Sequence, residues 1–194
     1  MIKVGLTGGI ASGKTTIAQF FEILSVPVYY SDQRAKALML KEPIRNQLIE
    51  WLGKEVYNKE GELNKSFISS KIFKNQDLLN KMNKIVHPVV QDDFDSFCLI
   101  NKEKEYIIKE SAILIETGLI KDLDKLILVT ANKEDRRSRV SIRDGLSRLE
   151  IDLKISKQFE DSKKIGFADF IIKNNNNSLI IPQLLKIHNT IIHL

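Results

Sequence analysis

The sequence predicts an α/β fold: a five-stranded parallel sheet with helices on both faces, a helical subdomain and a short lid. Three observations carry that prediction. The chain opens as a short apolar strand that runs through a glycine-rich loop into an amphipathic helix. Strand-like and helix-like stretches then alternate to the C-terminus, the pattern of a parallel sheet wrapped by helices. Two stretches break the alternation: 42–101 holds more helix than one crossover needs, and 134–150 is a basic segment that reads as a mobile lid. Both are expected within a single domain spanning 1–194.

Ile2, Val4 and Leu6 supply the first strand. Gly8-Gly9-Ile10-Ala11-Ser12-Gly13-Lys14-Thr15 then fits G-x-x-x-x-G-K-[ST], the P-loop pattern. Glycine lets successive backbone N–H groups turn inward without a Cβ clash, and such groups form an anion-binding concavity. The helix that follows, with Ile17, Phe20, Phe21 and Leu24 on one face, presents its N-terminal donors and dipole to the same point. The backbone of Gly9, Ile10, Ala11, Ser12, Gly13, Lys14, Thr15 and Thr16 is therefore the expected cradle of a nucleoside triphosphate. Lys14 reaches the β/γ-phosphates and the Thr15 hydroxyl holds Mg²⁺. The fold is thus expected to be of the P-loop NTPase type.

A second short strand is expected at Val26–Tyr30, then a helix to Leu40 that Ser31 or Asp32 caps. Pro43 suits the first turn of a helix with Ile44, Leu48, Trp51 and Leu52 on one face. Asn64–Val86 reads as helical; His87-Pro88 is expected to break it, and Val89–Leu99 to resume. Strands are expected at Tyr106–Lys109, Lys125–Thr130 and Phe167–Ile172. Between the last two lie a helix over Glu134–Ile142 and another opened by the capping box Ser147-Arg148-Leu149-Glu150, carrying Ile151, Ile155 and Phe159. Asn174–Asn177 reads as a turn, and a final helix runs from Ser178, kinked or started near Pro182. In open α/β sheets ligands bind beyond the carboxyl ends of the strands. The P-loop, Asp32, Glu110 and the basic segment fall there.

Composition narrows the class. The 194 residues are 43% apolar and 28% charged, ordinary for a globular chain. No apolar run approaches the ~20 residues of a membrane helix, and the start has neither the basic region nor the apolar block of a cleaved leader. A cytoplasmic protein without membrane contact is expected. Cys98 is alone, so no internal disulfide forms, and it reads as a small buried hydrophobe. The net charge of +5 comes from lysines scattered along the chain, which suits an anionic small substrate better than nucleic acid.

Four constellations carry chemistry. Asp32, at the end of the second strand, is placed to accept the proton of an attacking hydroxyl; the plainer alternative is a helix cap. Among Arg136, Arg137, Arg139 and Arg143, the pair Arg139 and Arg143 lie four apart, on one helical face, and guanidinium forks suit a transferring phosphoryl group. Glu110 and Glu116 end or follow the third strand, where a carboxylate reaches Mg²⁺ through water or orients the lid. Asn132-Lys133-Glu134-Asp135 spells the guanine-reading N-K-x-D, but no strand is followed by the D-x-x-G that a GTPase also needs. A phosphotransferase is the reading that uses the rest.

Six motifs in order give a family resemblance. Leu6-Thr7-Gly8-Gly9-Ile10-Ala11-Ser12-Gly13-Lys14-Thr15-Thr16, Pro27–Asp32, Ile85-Val86-His87-Pro88, Ile113-Leu114-Ile115-Glu116, Arg139-x-x-x-Arg143-Asp144, and Gln158…Lys164…Ala168-Asp169-Phe170-Ile171-Ile172-x-Asn174 are present. From end to end the chain resembles the dephospho-coenzyme A kinases. The resemblance implies ATP as donor, Mg²⁺, dephospho-coenzyme A as acceptor at its ribose 3′-hydroxyl, and a monomer or weak homo-oligomer. It implies Asp32 as base, Lys14, Arg139 and Arg143 at the transferring phosphoryl, and Asn174 at the nucleotide. Lys36, His87 and Glu116 are implied on the acceptor side. Tyr30 stands where the family has the first Asp of D-A-D, Lys36 where Arg or His is usual, and Ala112 replaces a Pro. Kinases of other small acceptors share the loop; a GTP switch or a module that binds ATP without turnover are the remaining alternatives.

Overall fold

The structure, a computed structural model, describes residues 1–72 and 75–194. Among these, β1 (Ile2–Gly8), β2 (Val28–Tyr30), β3 (Tyr106–Glu110), β4 (Lys125–Thr130) and β5 (Phe170–Lys173) form one parallel sheet in the order β2-β3-β1-β4-β5. β1 lies in the middle, with Leu6 opposite Glu110 of β3 and Gly8 opposite Val129 of β4. Central parallel strands are covered on both faces, so they read as apolar runs rather than alternations. Val4, Leu6, Ile107, Ile108, Ile127, Leu128 and Val129 accordingly have 0% exposure.

The chain divides into two compact units: residues 1–29 with 101–194, and residues 30–100. The first holds most of the sheet with α1 (Lys14–Ile23), α6 (Lys133–Asp144), α7 (Arg148–Ile155), α8 (Asp161–Ile165) and α9 (Ile180–Ile191). α1 buries Ile17, Ala18 and Phe21; α9 buries Leu184, Ile187 and Ile191 at helical spacing. Pro182 sits in the first turn of α9, where its missing N–H has no intrahelical carbonyl to lose.

The second unit holds α2 (Ser31–Met39), α3 (Ile44–Leu52), α4 (Lys65–Ile72) and α5 (Gln76–Ile100). Ile44, Leu48, Val56, Tyr57, Ile72, Met82 and Val86 form its core, and Trp51 and Leu52 pack against it. This unit takes in α2 as well as the helices of the 42–101 stretch. Arg34 on α2 forks onto both oxygens of Asp93 on α5, Nε donating at 2.7 Å.

The structure corrects several expectations. α5 runs unbroken through Pro88. Proline there removes one backbone hydrogen bond, but Met82 and Val86 before it and Phe94 and Cys98 after it are buried at helical spacing, and that packing holds the helix together. The helix expected over Asn64–Val86 is instead α4 and the first part of α5, and residues 73–74 between them lie outside the described residues. α7 ends at Ile155, so Phe159 belongs to the connection before α8. β5 begins at Phe170 rather than Phe167, because Phe167 and Ala168 close turns back onto Lys164 and Ile165. Neither Ser31 nor Asp32 caps α2, whose first turn contains both. Cys98 is buried, as read.

Candidate active site

The phosphate loop joins β1 to α1 as the spacing predicts. Gly13 is the cap of α1, at φ 95°, and no side chain or acidic residue occupies the helix start. A Cβ on Gly13 would lie 2.1 Å from Asn174 Nδ2, so space as well as backbone conformation demands glycine. Thr15 and Thr16 are exposed in the first turn. Lys14 Nζ lies 3.9 Å from Glu110 Oε1 at the end of β3, with both side chains about nine-tenths covered.

Side chains from distant parts of the first unit hold the loop from outside. Asn174 Nδ2 donates to Ser12 O at 2.7 Å. Arg139 donates to Ala11 O at 3.3 Å and to Asn174 O at 2.8 Å. Arg136 Nε donates to Ile10 O at 2.9 Å, and Ile10 N donates to Gln158 Oε1 at 2.7 Å. Burial pulls the Arg136 guanidinium below its ordinary value, while Asp161, 3.7 Å away, opposes that pull. Asp161 shows the mirror effect: burial raises its carboxyl, against the lowering by Arg136 and Lys164.

On α8, Lys164 has no exposed side-chain area and its Nζ lies 2.7 Å from Glu116 Oε1. The same Glu116 oxygen accepts from Phe159 N at 3.2 Å. The last of the predicted arginines behaves differently: Arg143 is exposed and forks onto its neighbour Asp144, which lifts the guanidinium and lowers the carboxyl.

The N-K-x-D stretch has a structural use. Asn132 caps α6 and takes the Asn175 side chain on its N–H at 2.9 Å, while Asp135 accepts from Asn176 N at 3.0 Å. These bonds tie α6 to the turn after β5, so Asp135 is spent on backbone rather than on a guanine edge.

In the second unit Asp32 is exposed in the first turn of α2, two residues after β2 ends. Lys36 is exposed one turn later, and His87 is half-buried on α5.

Comparison with known proteins now decides the family. A family model, dephospho-CoA kinase, matches residues 2–179. A Bacteroides fragilis dephospho-CoA kinase is 36% identical over 187 residues, covering 96% of this chain and 91% of that protein. The chain belongs to the dephospho-CoA kinase family. Among solved structures, one from Thermus thermophilus aligns over 99% of this chain and 96% of its own, at TM-score 0.84 and 26% identity. The dephospho-CoA kinase from Campylobacter jejuni shares the fold at TM-score 0.72, with 22% identity over 98% of this chain and 97% of that one. Membership makes the chain an ATP-using phosphotransferase of the P-loop kind.

Within that family frame, the structure brings together the loop, Lys14, Arg139, Asn174 and Glu110. The sequence reading passed over Arg136 and gave no role to Gln158 or Lys164. One signal for Arg136 was available: it lies three residues before Arg139, on the same face of α6. The contacts of Gln158 and Lys164 cross 148 and 48 residues of chain and carry no local signature.

Proposed function

We propose that this protein transfers the γ-phosphoryl group of ATP to the ribose 3′-hydroxyl of dephospho-coenzyme A, giving coenzyme A and ADP. The family match across residues 2–179 carries the proposal, supported by a phosphate loop whose lysine and helix start are in place. Lys14 and the loop N–H groups hold the β- and γ-phosphates, except those of Ile10 and Ser12, which the structure gives to Gln158 and to Gly9 O instead of to the expected cradle. Asp32 orients the acceptor hydroxyl and takes its proton as the new P–O bond forms and the bond to ADP breaks. Thr15 is the protein ligand offered to Mg²⁺. Among the described residues no cluster of His, Cys, Asp or Glu would hold a metal alone, which fits an ion bound chiefly through substrate phosphates. When bound, that ion neutralises charge on the β/γ oxygens.

On this reading 134–150 is the lid and 42–101 includes the helical acceptor-binding part, with Lys36, His87 and Glu116 as acceptor contacts. Arg139 keeps the loop in shape, and Arg143 leaves Asp144 to meet the transferring phosphoryl and help exclude water. No helix among the described residues is long and apolar enough to cross a membrane. ATP is a cytoplasmic metabolite, and the proposal puts the enzyme there.

The test is ADP release from ATP and Mg²⁺ with and without dephospho-coenzyme A, beside shikimate, gluconate and nucleoside monophosphates, and with GTP as rival donor. Release that depends on dephospho-coenzyme A and ATP is expected. Equal release without acceptor, or with another acceptor alone, would overturn the substrate.

A further inference from the structure

We infer that Arg136 and Gln158 are positioning residues for the phosphate loop, acting together through the backbone of Ile10. A loop that cradles phosphate must turn its N–H groups inward, which turns its carbonyls outward. Here the carbonyls of Ile10, Ala11 and Ser12 each meet a side-chain donor from outside the loop: Arg136, Arg139 and Asn174. Ile10 is held twice. Its carbonyl takes Arg136 Nε at 2.9 Å, and its N–H gives to Gln158 Oε1 at 2.7 Å. The two partners come from α6 and from the connection between α7 and α8, 126 and 148 residues along the chain.

Three further observations bear on the pair. Ala11, the next residue, has φ 55°, a left-handed conformation for a residue with a Cβ. Such strain, on the order of 1 kcal/mol, persists only where the surroundings over-determine the backbone. Contacts on Ile10 and Ser12 fix both sides of it. The Arg136 guanidinium also lies against the loop itself: a Cβ on Gly9 would come 2.3 Å from its Nη2. Finally, Arg136 is only 7% exposed. A buried guanidinium is kept where it is paired and its donors are used; here Nε donates to Ile10 O, and the charge faces Asp161 at 3.7 Å. Its neighbour Arg137 turns away, to Asp152 and Glu134. Arg136 and Gln158 also line a cleft of ≈ 360 Å³. Without both anchors on Ile10, the inward N–H groups after it would lose their aim.

Gln158→Met removes the acceptor with little change of size and none of charge. Arg136→Gln keeps a donor but loses the fork. Each is expected to weaken Mg·ADP binding, measured by titration without turnover, by about tenfold, the worth of one hydrogen bond. KM for ATP should rise by a similar factor while KM for dephospho-coenzyme A stays put. A purely structural role would lower the melting temperature and leave both constants alone. In the double variant the loss should fall well short of the product of the two, since both anchors act on one residue. ADP affinity within twofold of wild type in Gln158→Met would overturn the inference, whether or not Arg136→Gln folds. Losses that multiply in the double variant would overturn the joint action.

Discussion

Asp32 stands in the first turn of α2 with an exposed carboxylate and no capping bond of its own. The plain explanation for an acid at this position, a helix cap, is therefore absent. If it is the base, Asp32→Asn should keep the wild-type melting temperature and lose on the order of 10²–10⁴ in kcat. A variant with near-wild-type turnover would remove Asp32 from the mechanism. Asp161 makes a different prediction. Its carboxyl is raised by burial above the unfolded value of ~3.9. Between those two values the folded chain holds the extra proton, so stability falls as pH climbs through the folded value. Asp161→Asn should flatten that part of the curve in urea melts between pH 4 and 8, and be no less stable at pH 7. A marked loss at pH 7 would mean the ion pair with Arg136 outweighs burial. At this scale the sequence yielded the residues whose chemistry is local: Lys14, Thr15 and the glycines announce themselves by spacing. Arg136, Gln158 and Lys164 act across the fold, and only tertiary contacts reveal which arginine of a basic run meets the loop.

Among the elements, α5 departs most from expectation. Proline in a helix interior costs ~3 kcal/mol relative to alanine, and a reading by local rules ends the helix there. The apolar face of α5 overrides that rule. Pro88→Ala should then stabilise the protein by about 1–2 kcal/mol in chemical denaturation, less than the full propensity gap because the surroundings are fitted to proline. Destabilisation would show that the ring itself packs. α7 makes the opposite case, since its start was legible. Ser147 and Glu150 form the capping box that the four-residue signature predicts. Hydrogen bonds to Ser147 lower the Glu150 carboxyl, and the fork from Arg137 lowers Asp152. A lowered folded value contributes stability above the unfolded value and loses it as pH falls through the folded one. Below about pH 4, α7 should therefore fray first, visible as faster amide exchange, while Ser147→Ala should cost about 1 kcal/mol at pH 7. The short α8 went unread because five residues give too few turns for a period to show.

At the scale of the whole chain, the two units should not melt as one. Trp51, the single tryptophan, lies on α3 in the unit of residues 30–100. Its fluorescence reports that unit alone, whereas far-UV circular dichroism reports both. Urea transitions by the two probes are expected to separate, and Mg·ADP should move the dichroism curve more than the fluorescence curve, because the loop lies in the other unit. Coincident curves with equal shifts would make the chain a single cooperative body. An excess of helix between two strands is visible in the sequence; that α2 belongs with α5 is not, since nothing local to α2 says that the two pack together.

The Arg34–Asp93 fork has a consequence in polymer terms. β2 and β3 are neighbours in the sheet, yet residues 31–105 intervene between them. Ring closure over a long stretch costs entropy that grows with the logarithm of its length, ~0.6 kcal/mol per doubling. Once α2 is tied to α5, the slack that must be drawn in is only residues 31–33 and 94–105, outside the tied pair. That is a little over two doublings shorter, or about 1 kcal/mol less entropy to surrender. To the sheet, a folded insertion of this kind behaves as a short turn, so the strands can find each other nearly as fast as if the intervening helices had never been added.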